Sequence, residues 1–551
     1  MLQGICRDWL GIVYDLLDIN GPASGTNIQF MKNCIDECVE DHTGCMDRLL
    51  KNDFVPTRLL DIGNDTTSYI KLIERSQIPL EGSPDSQLKY ATLSYCWGNS
   101  LPLKTTEQTL EQHKTGIPIH DLPAVFQDAV HVARKLEIRF IWIDALCIIQ
   151  DQDSKRDWEA ESVTMSDVFA HSYVTICAAS STSCSESFLR RPPPKLLTLP
   201  FRSSLRPNVS GEYSIFLRGR RQWQDVADLE HSRWISRGWV WQEQVMATRQ
   251  LVFVEEALQF RCNTTVCLEY GRSTKEYSLS LTKRTDYQKF WFDVITQYSQ
   301  RHLTHAEDRL AAVAGAAKLI QASLKDAGEP KEYLAGLWLD YDSLSSHVCL
   351  DDNFSRHLCW VYDEPTLSYT MLLEQLNNDK EYCAPSWSWA SRNTTVYCIL
   401  LNMDSQFQVV SYDLQPAHSD AMVAVRFGSS ITLKGKCRQT PVKPTTGVLR
   451  REPTWGNRRL NCWEASSPHG NIEFWLDWVP DLDNREEDDR QNQLQLFLIS
   501  YDNGFIISGL LLLPFEGSGG IVHRRVGAFR MWNRDCDQLF TGASERTITI
   551  L

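Results

Sequence analysis

The sequence has no membrane-length apolar run. Its longest, Phe505 to Phe515, is broken by Ser508 and Gly509 and reaches only about half of the ~20 residues a helical span needs. The first residues carry Arg7, Asp8 and Asp15, so no signal peptide is expected. A P-loop, a GxGxxG after a strand, an HEXXH helix and paired CxxC motifs are all missing. Their absence removes the common phosphate cradle, dinucleotide fingerprint and metalloprotease signatures. An excess of positive charge is missing too. Lys and Arg number 56 against 70 Asp and Glu, a net charge of −14, and such a chain repels phosphate backbones. Neither a nucleic-acid partner nor a membrane span is expected. The 17 cysteines form no short secreted framework, and many sit beside Ile, Leu and Trp, as reduced core thiols do. These absences together predict a soluble protein of a reducing, cytoplasmic compartment.

What is present is ordinary globular composition, 42% hydrophobic and 23% charged, over 551 residues. That length exceeds one ordinary core and predicts two to four domains. The 18 tryptophans imply large buried contacts. The acidic run from Asp481 to Asp489 reads as a solvated loop.

Residues 1–85 read as a helical N-terminal extension, with a short strand at Pro56 to Ile62. Within it Cys34, Cys38, His42 and Cys45 recur at spacings of four, four and three, which places them along one helical face. Ligands strung along one helix cannot surround a tetrahedral ion without help from elsewhere. The spacing is therefore read as a buried stripe of thiols with one histidine, and no metal is assigned.

Residues 86–262 alternate strands and helices. Strands are predicted at Tyr90 to Trp97, Ile138 to Ala145, Tyr173 to Ala179, Gln250 to Val254 and Leu258 to Cys262. A helix starts near Asp121-Leu-Pro123 and buries Phe126, Ala129, Val130, Ala133 and Leu136. Another follows a capping-box-like start at Ser154 to Asp157 and runs to Phe169. This order predicts an α/β fold with a mainly parallel sheet flanked by helices. Residues 185–230, with Pro192 to Pro194 and the basic run Arg218 to Arg221, read as a loop-rich insertion. Residues 263–380 read as a helical connecting region and 381–551 as a β-rich C-terminal region of short strands, beginning with Ser386 to Ser391.

Three constellations could carry chemistry. On the helix 154–169, Trp158, Glu161, Met165 and Val168 share one face. Glu161 thus lies in an otherwise apolar stripe, where a carboxylate is costly unless paired or set in a cleft. It is a candidate catalytic residue, or else half of a structural ion pair, with Arg237 or Arg249 as the expected partner. Asp144 follows the strand core Ile141-Trp142-Ile143, at the strand end where ligands bind in open α/β sheets. It is the second catalytic candidate, with turn capping as the alternative. Ser94, Tyr95 and Trp97, at the end of the first strand, and Trp158 and Arg237 complete the candidate substrate-binding set. Arg237 could hold a phosphate or carboxylate by its planar fork, or pair with Glu243 or Glu161. Cys96 and Cys147 lie near strand ends, but no histidine is placed by sequence to activate them.

The blocks YATLSYCWG (90–98), IWIDALCIIQDQDSKRDWEAE (141–161) and SRGWVWQEQ (236–244) resemble the fungal heterokaryon-incompatibility (HET) domain in content, order and spacing. Phe169 stands where that family usually has Tyr, and Gln244 where it often has Arg. CVEDHTGC and PTRLLDIG upstream, and EDRLAAVAGAA, YLAGLW, APSWSWAS and TITIL downstream, are similar to segments common in these proteins. The resemblance implies a cytosolic fungal effector of nonself recognition that promotes growth arrest or cell death. A more distant likeness is to the Toll/interleukin-receptor (TIR) domain. In enzymatic TIR domains, a Glu in a Trp-Cys-x-x-Glu segment supports cleavage of the nicotinamide–ribose bond of NAD. Trp158 and Glu161 are the nearest match, without the Cys and one residue closer together, a turn of about 100° around a helix. The resemblance therefore implies NAD as a candidate substrate, no bound cofactor, and protein partners or self-association. A non-catalytic signalling module acting by self-association stays open beside the enzyme reading, as does a hydrolase using Cys96 or Cys147.

Overall fold

Runs of β-branched and aromatic residues with little polar interruption form strands buried on both faces, and five such runs build the middle of this protein. The computed structural model describes residues 21–46, 54–78, 88–98, 103–151, 156–191, 196–206, 210–216, 229, 231–255, 257–269 and 271–273 of the first part of the chain. Of the second part it describes 287–329, 331–340, 352–362, 364–379, 382–398, 404–417, 420–453, 459–481, 490–502, 505–517, 520–533 and 536–551. The chain divides into two units, Met1–Thr282 and Lys283–Leu551. The expected cap at Ser154, the prolines 192–194, the basic run 218–221 and most of the acidic run 481–489 lie outside the described residues.

In the first unit, α1 (Gly25–Asp41) and the single turn α2 (Thr43–Met46) precede β1 (Arg58–Asp61) and β2 (Tyr69–Glu74). There follow β3 (Tyr90–Ser94), α3 (Leu110–Thr115), β4 (Ile117–Pro118), α4 (Ala124–Lys135), β5 (Phe140–Trp142), α5 (Asp144–Cys147), α6 (Arg156–Ala170) and β6 (Val174–Cys177). The hairpin β7 (Leu196–Arg202) and β8 (Ser210–Phe216) lies in the expected loop-rich insertion. Last come α7 (Gly238–Met246), β9 (Arg249–Phe253), β10 (Leu258–Cys262), β11 (Val266–Leu268) and β12 (Gly271–Ser273).

One sheet takes the strands in the order β12-β11-β10-β9-β6-β3-β5-β1-β2-β4. Pairs β3–β5, β3–β6 and β6–β9 are parallel. Every pair outside that centre is antiparallel. The expectation of a mainly parallel sheet is thus corrected to a mixed one. The helical connections allow parallel pairing at the centre, whereas the short links β1–β2, β9–β10 and β10–β11 can close only as hairpins. β1 and β2, from the lead-in segment, are strands of this same sheet. In its core the Thr92 and Thr175 hydroxyls, both buried, share a hydrogen bond of 2.8 Å across β3 and β6. The predicted face of α4, Phe126, Ala129, Val130, Ala133 and Leu136, is buried.

The second unit opens with α8 (Tyr287–Ser299), α9 (Ala311–Asp326), the hairpin β13 (Lys331–Leu334) and β14 (Leu337–Asp340), α10 (Asp352–Leu358), β15 (Trp360–Tyr362) and α11 (Tyr369–Asn377). The indoles of Trp291 and Trp389 both donate to the Gly336 carbonyl, at 2.8 and 2.9 Å. Gly336 has φ of 98°, and a Cβ there would meet Trp389 Nε1 at 2.5 Å. The blocks YLAGLW and APSWSWAS are therefore two sides of one packed contact. The strand expected at Ser386 to Ser391 is instead a turn ending in the 3-10 segment Trp389–Ser391, because its tryptophans fill this core rather than pair along a ladder. From β16 (Val396–Cys398) to β26 (Ser544–Ile550) the chain has most of its described residues in strands. In it β19 (Ser430–Gln439), β23 (Gln495–Asp502), β24 (Ile506–Gly517), β25 (Gly520–Trp532) and β26 pair in a closed ring.

Arg525, on β25, has no exposed side chain and meets Asp477 at 2.7 Å. It also donates to the Trp360 carbonyl and lies over that indole. Arg525→Met should destabilise the second unit by about 3–5 kcal/mol by stranding a buried carboxylate, and adding Asp477→Leu should recover most of that loss. Denaturant unfolding of both variants measures the two effects.

Candidate functional site

Parallel strands put their carboxyl ends, and the side chains that follow them, on one edge of a sheet. β3 and β5 run parallel in the register Tyr90–Phe140 to Thr92–Trp142, so Ser94 and Asp144 emerge at the same end. The Trp97 indole donates to Asp144 Oδ2 at 2.9 Å. Asp144, the first residue of α5, also accepts from the Ala145 backbone at 2.7 Å. Asp144 thus stands at the strand end, bonded both to the backbone of its own turn and to the Trp97 indole. The Ser94 hydroxyl donates to Glu243 Oε2 and accepts from the Trp234 indole at 2.8 Å. Arg237, the residue capping α7, donates to the Tyr95 carbonyl. The Tyr95 ring is committed to the core, edge-on to Phe126 with centroids 5.1 Å apart. Gly98, at φ of 79°, lets this strand-end loop lie against Ser183, which a Cβ would strike at 2.3 Å.

Burial raises the Asp144 carboxyl above the ordinary aspartate range. The Tyr95 hydroxyl, the Arg237 charge and the Trp97 indole oppose the rise. A carboxyl raised in this way is poised to hold or pass a proton closer to neutral pH.

Glu161 is engaged elsewhere. It is 6% exposed and its Oε1 lies 3.5 Å from Arg58 Nη2, so the ion-pair partner is neither Arg237 nor Arg249. The same guanidinium nitrogen binds Asp157, and Arg58 Nε donates to the Cys147 carbonyl at 2.6 Å. Asp157 in turn accepts from the Ile149 backbone at 2.7 Å. Met165 and Val168 on the same face are buried as predicted, and Trp158 is half-buried against Trp239, perpendicular at 6.2 Å between centroids. Burial raises the Glu161 carboxyl, opposed by the Thr57 side chain and Arg58 and reinforced by Asp157.

The structure thus joins Ser94, Tyr95, Trp97, Asp144 and Arg237 at one sheet edge, and ties Glu161 and Trp158 into α6 packing. Cys96 and Cys147 are buried, and burial raises both thiols, Cys147 to about 12. A neutral buried thiol is a poor nucleophile. Sequence reasoning missed Arg58, Trp234 and the bond from Ser94 to Glu243. Arg58 sits at the start of a recognised strand, but no spacing rule links it to a helix about 100 residues on.

A second cluster lies at the other side of the unit. Cys38 Sγ, a His42 ring nitrogen, Cys45 Sγ and Cys262 Sγ are all within 4.8 Å of one another. The premise that these ligands string along one helix fails. α1 ends at Asp41, His42 turns the chain with φ of −97° and ψ of 87°, and Cys262 arrives from β10.

Arg58→Met should cost about 3 kcal/mol or more, because it leaves Glu161 buried without its cation. A glutamate whose folded pKa is raised binds more protons folded than unfolded just above the usual value of 4.5, so stability falls as pH climbs from there. Glu161→Gln should flatten that fall. Urea midpoints at pH 4.5 and pH 7 for both chains measure the difference.

A family model described as heterokaryon incompatibility protein (HET) matches residues 90–243. No curated protein matches the chain, and no solved structure does. The matched span holds every residue of the strand-end cluster and Glu161, while Arg58, Cys38, His42, Cys45 and Cys262 lie outside it. With those three blocks meeting at one end of the central parallel strands, residues 90–243 of this chain are a HET domain.

Proposed function

We propose that this protein acts in heterokaryon incompatibility as a cytoplasmic effector of nonself recognition that promotes growth arrest or cell death. Its reactive site is the strand-end cluster, and its candidate reaction is TIR-like cleavage of the nicotinamide–ribose bond of NAD. The observation that supports this reading is the convergence of Ser94, Trp97, Asp144, Arg237 and Glu243, from three separated blocks, at the carboxyl ends of parallel strands. Two carboxylates there suit the oxocarbenium-like charge that develops on ribose as nicotinamide leaves. The planar fork of Arg237 suits a pyrophosphate, and the half-buried Trp97 offers an aromatic face. Asp144 and Glu243 carry the chemistry in this reading, and Glu161 steadies α6 through Arg58.

A non-catalytic module acting by self-association has its own support. The polar groups of the cluster already bond one another, Ser94 to Glu243 and Trp97 to Asp144, as they would in a packed structural core.

Incubating the full chain with NAD and following nicotinamide by chromatography separates the two. Turnover by the wild type, reduced about 100-fold or more in Asp144→Asn and Glu243→Gln but largely kept in Glu161→Gln, is the expected result. Untouched NAD over hours with folded protein would overturn the enzyme reading. Fungal cell death that survives both cluster substitutions would establish the self-association module instead.

A further inference from the structure

Four side chains from three elements meet outside the matched domain. Cys38 is in the last turn of α1, His42 is that helix's C-cap, Cys45 is in α2, and Cys262 ends β10. Cys38 and Cys45 are fully buried and Cys262 is 3% exposed. Around an ion with metal–sulfur bonds of about 2.3 Å, tetrahedral ligand atoms stand about 3.8 Å apart. The mutual limit of 4.8 Å here leaves little closure to make, and Cys262 Sγ already lies 3.4 Å from His42 Nδ1.

The surroundings are those of a thiolate site. The backbone N–H groups of Thr264 and Thr265, in the turn after β10, both point at Cys262 Sγ at 3.4 Å. The Thr264 hydroxyl lies 3.6 Å from Cys45 Sγ. Such outer donors orient ligands and stabilise their negative charge.

A second observation concerns charge. Arg249 is fully buried. Its Nε donates to the Tyr173 carbonyl at 2.7 Å, its Nη1 faces Cys38 Sγ at 4.0 Å, and its Nη2 has no partner among the described residues. A buried guanidinium beside neutral thiols is uncompensated and costly. Three thiolates and a histidine around a divalent ion carry one net negative charge, which Arg249 would balance.

We infer that Cys38, His42, Cys45 and Cys262 form a structural zinc site that staples α1 and α2 to the end of β10 in the HET-containing sheet. Three sulfurs and one imidazole in a tetrahedron favour zinc over magnesium or calcium. All four positions are filled by protein, so the ion has no open position for a substrate. Binding releases three thiol protons as three zinc–sulfur bonds and one zinc–nitrogen bond form. The far end of α1 is fixed independently, since Asn27 Nδ2 donates to Glu269 Oε2 at 3.0 Å. The ion completes a two-point attachment of the helix.

Metal analysis of the purified full chain should find about one zinc per chain. Cys262→Ser should lose it, His42→Cys should keep it, and Cys34→Ser, which changes a buried thiol outside the ligand set, should keep it too. Cobalt substitution of the wild type reads the site without any variant. Intense visible bands of a tetrahedral thiolate complex are expected, and chelation should free three further reactive thiols and lower the melting temperature. A folded chain purified with added zinc that carries none would overturn the inference. So would iron in its place, full zinc occupancy in Cys262→Ser, or a cobalt spectrum without thiolate charge transfer.

Discussion

The first unit depends on one buried cation. Arg58 leaves β1 and satisfies three separate partners, the Cys147 carbonyl at the end of α5 and the Asp157 and Glu161 carboxylates on α6. Placing α6 over the sheet buries Glu161, and that burial is tolerable only because Arg58 is there. The strand carrying Arg58 belongs to the lead-in segment, so the helix most characteristic of the HET blocks is held by a residue outside them. This is why β1 lies beside β5 rather than in a domain of its own.

Glu161 is committed to Arg58 and takes no part in the strand-end cluster. α5 separates the two settings. On one side Arg58 neutralises Glu161, and on the other Asp144 meets Trp97 and feels Arg237. Buried Cys147 lies between them, its thiol raised by burial and further by both carboxylates. The same burial that makes a carboxyl useful as a proton carrier disarms a thiol, because each is pushed toward its neutral form. The geometry thus weakens the cysteine-hydrolase reading, since burial raises both Cys96 and Cys147.

The Cys38–His42–Cys45–Cys262 cluster and Arg58 have a common consequence. Each links the segment before β3 to the sheet that carries the strand-end cluster, one at the β10 side and one at the β5 side. The sheet spans ten strands, of which only the central four are parallel. Its antiparallel flanks are where the lead-in attaches.

Local periodicity alone determined much of this protein. The strands β3, β6, β9 and β10, the buried face of α4, most of α6 and the β-rich texture of the C-terminal region follow from alternation and helical spacing, which act over a few residues. The strand-end position of Asp144 and Ser94 followed as well, because parallel strands expose their carboxyl ends together. Only the tertiary structure decided which charges and thiols meet. Glu161 found Arg58 across about 100 residues, Ser94 found Glu243 across about 150, and Cys262 joined Cys38, His42 and Cys45 across more than 200. The tryptophans of APSWSWAS filled a core instead of forming a strand. In each case the deciding term was the desolvation of a polar, ionic or aromatic group by distant chain, and sequence spacing carries no record of it.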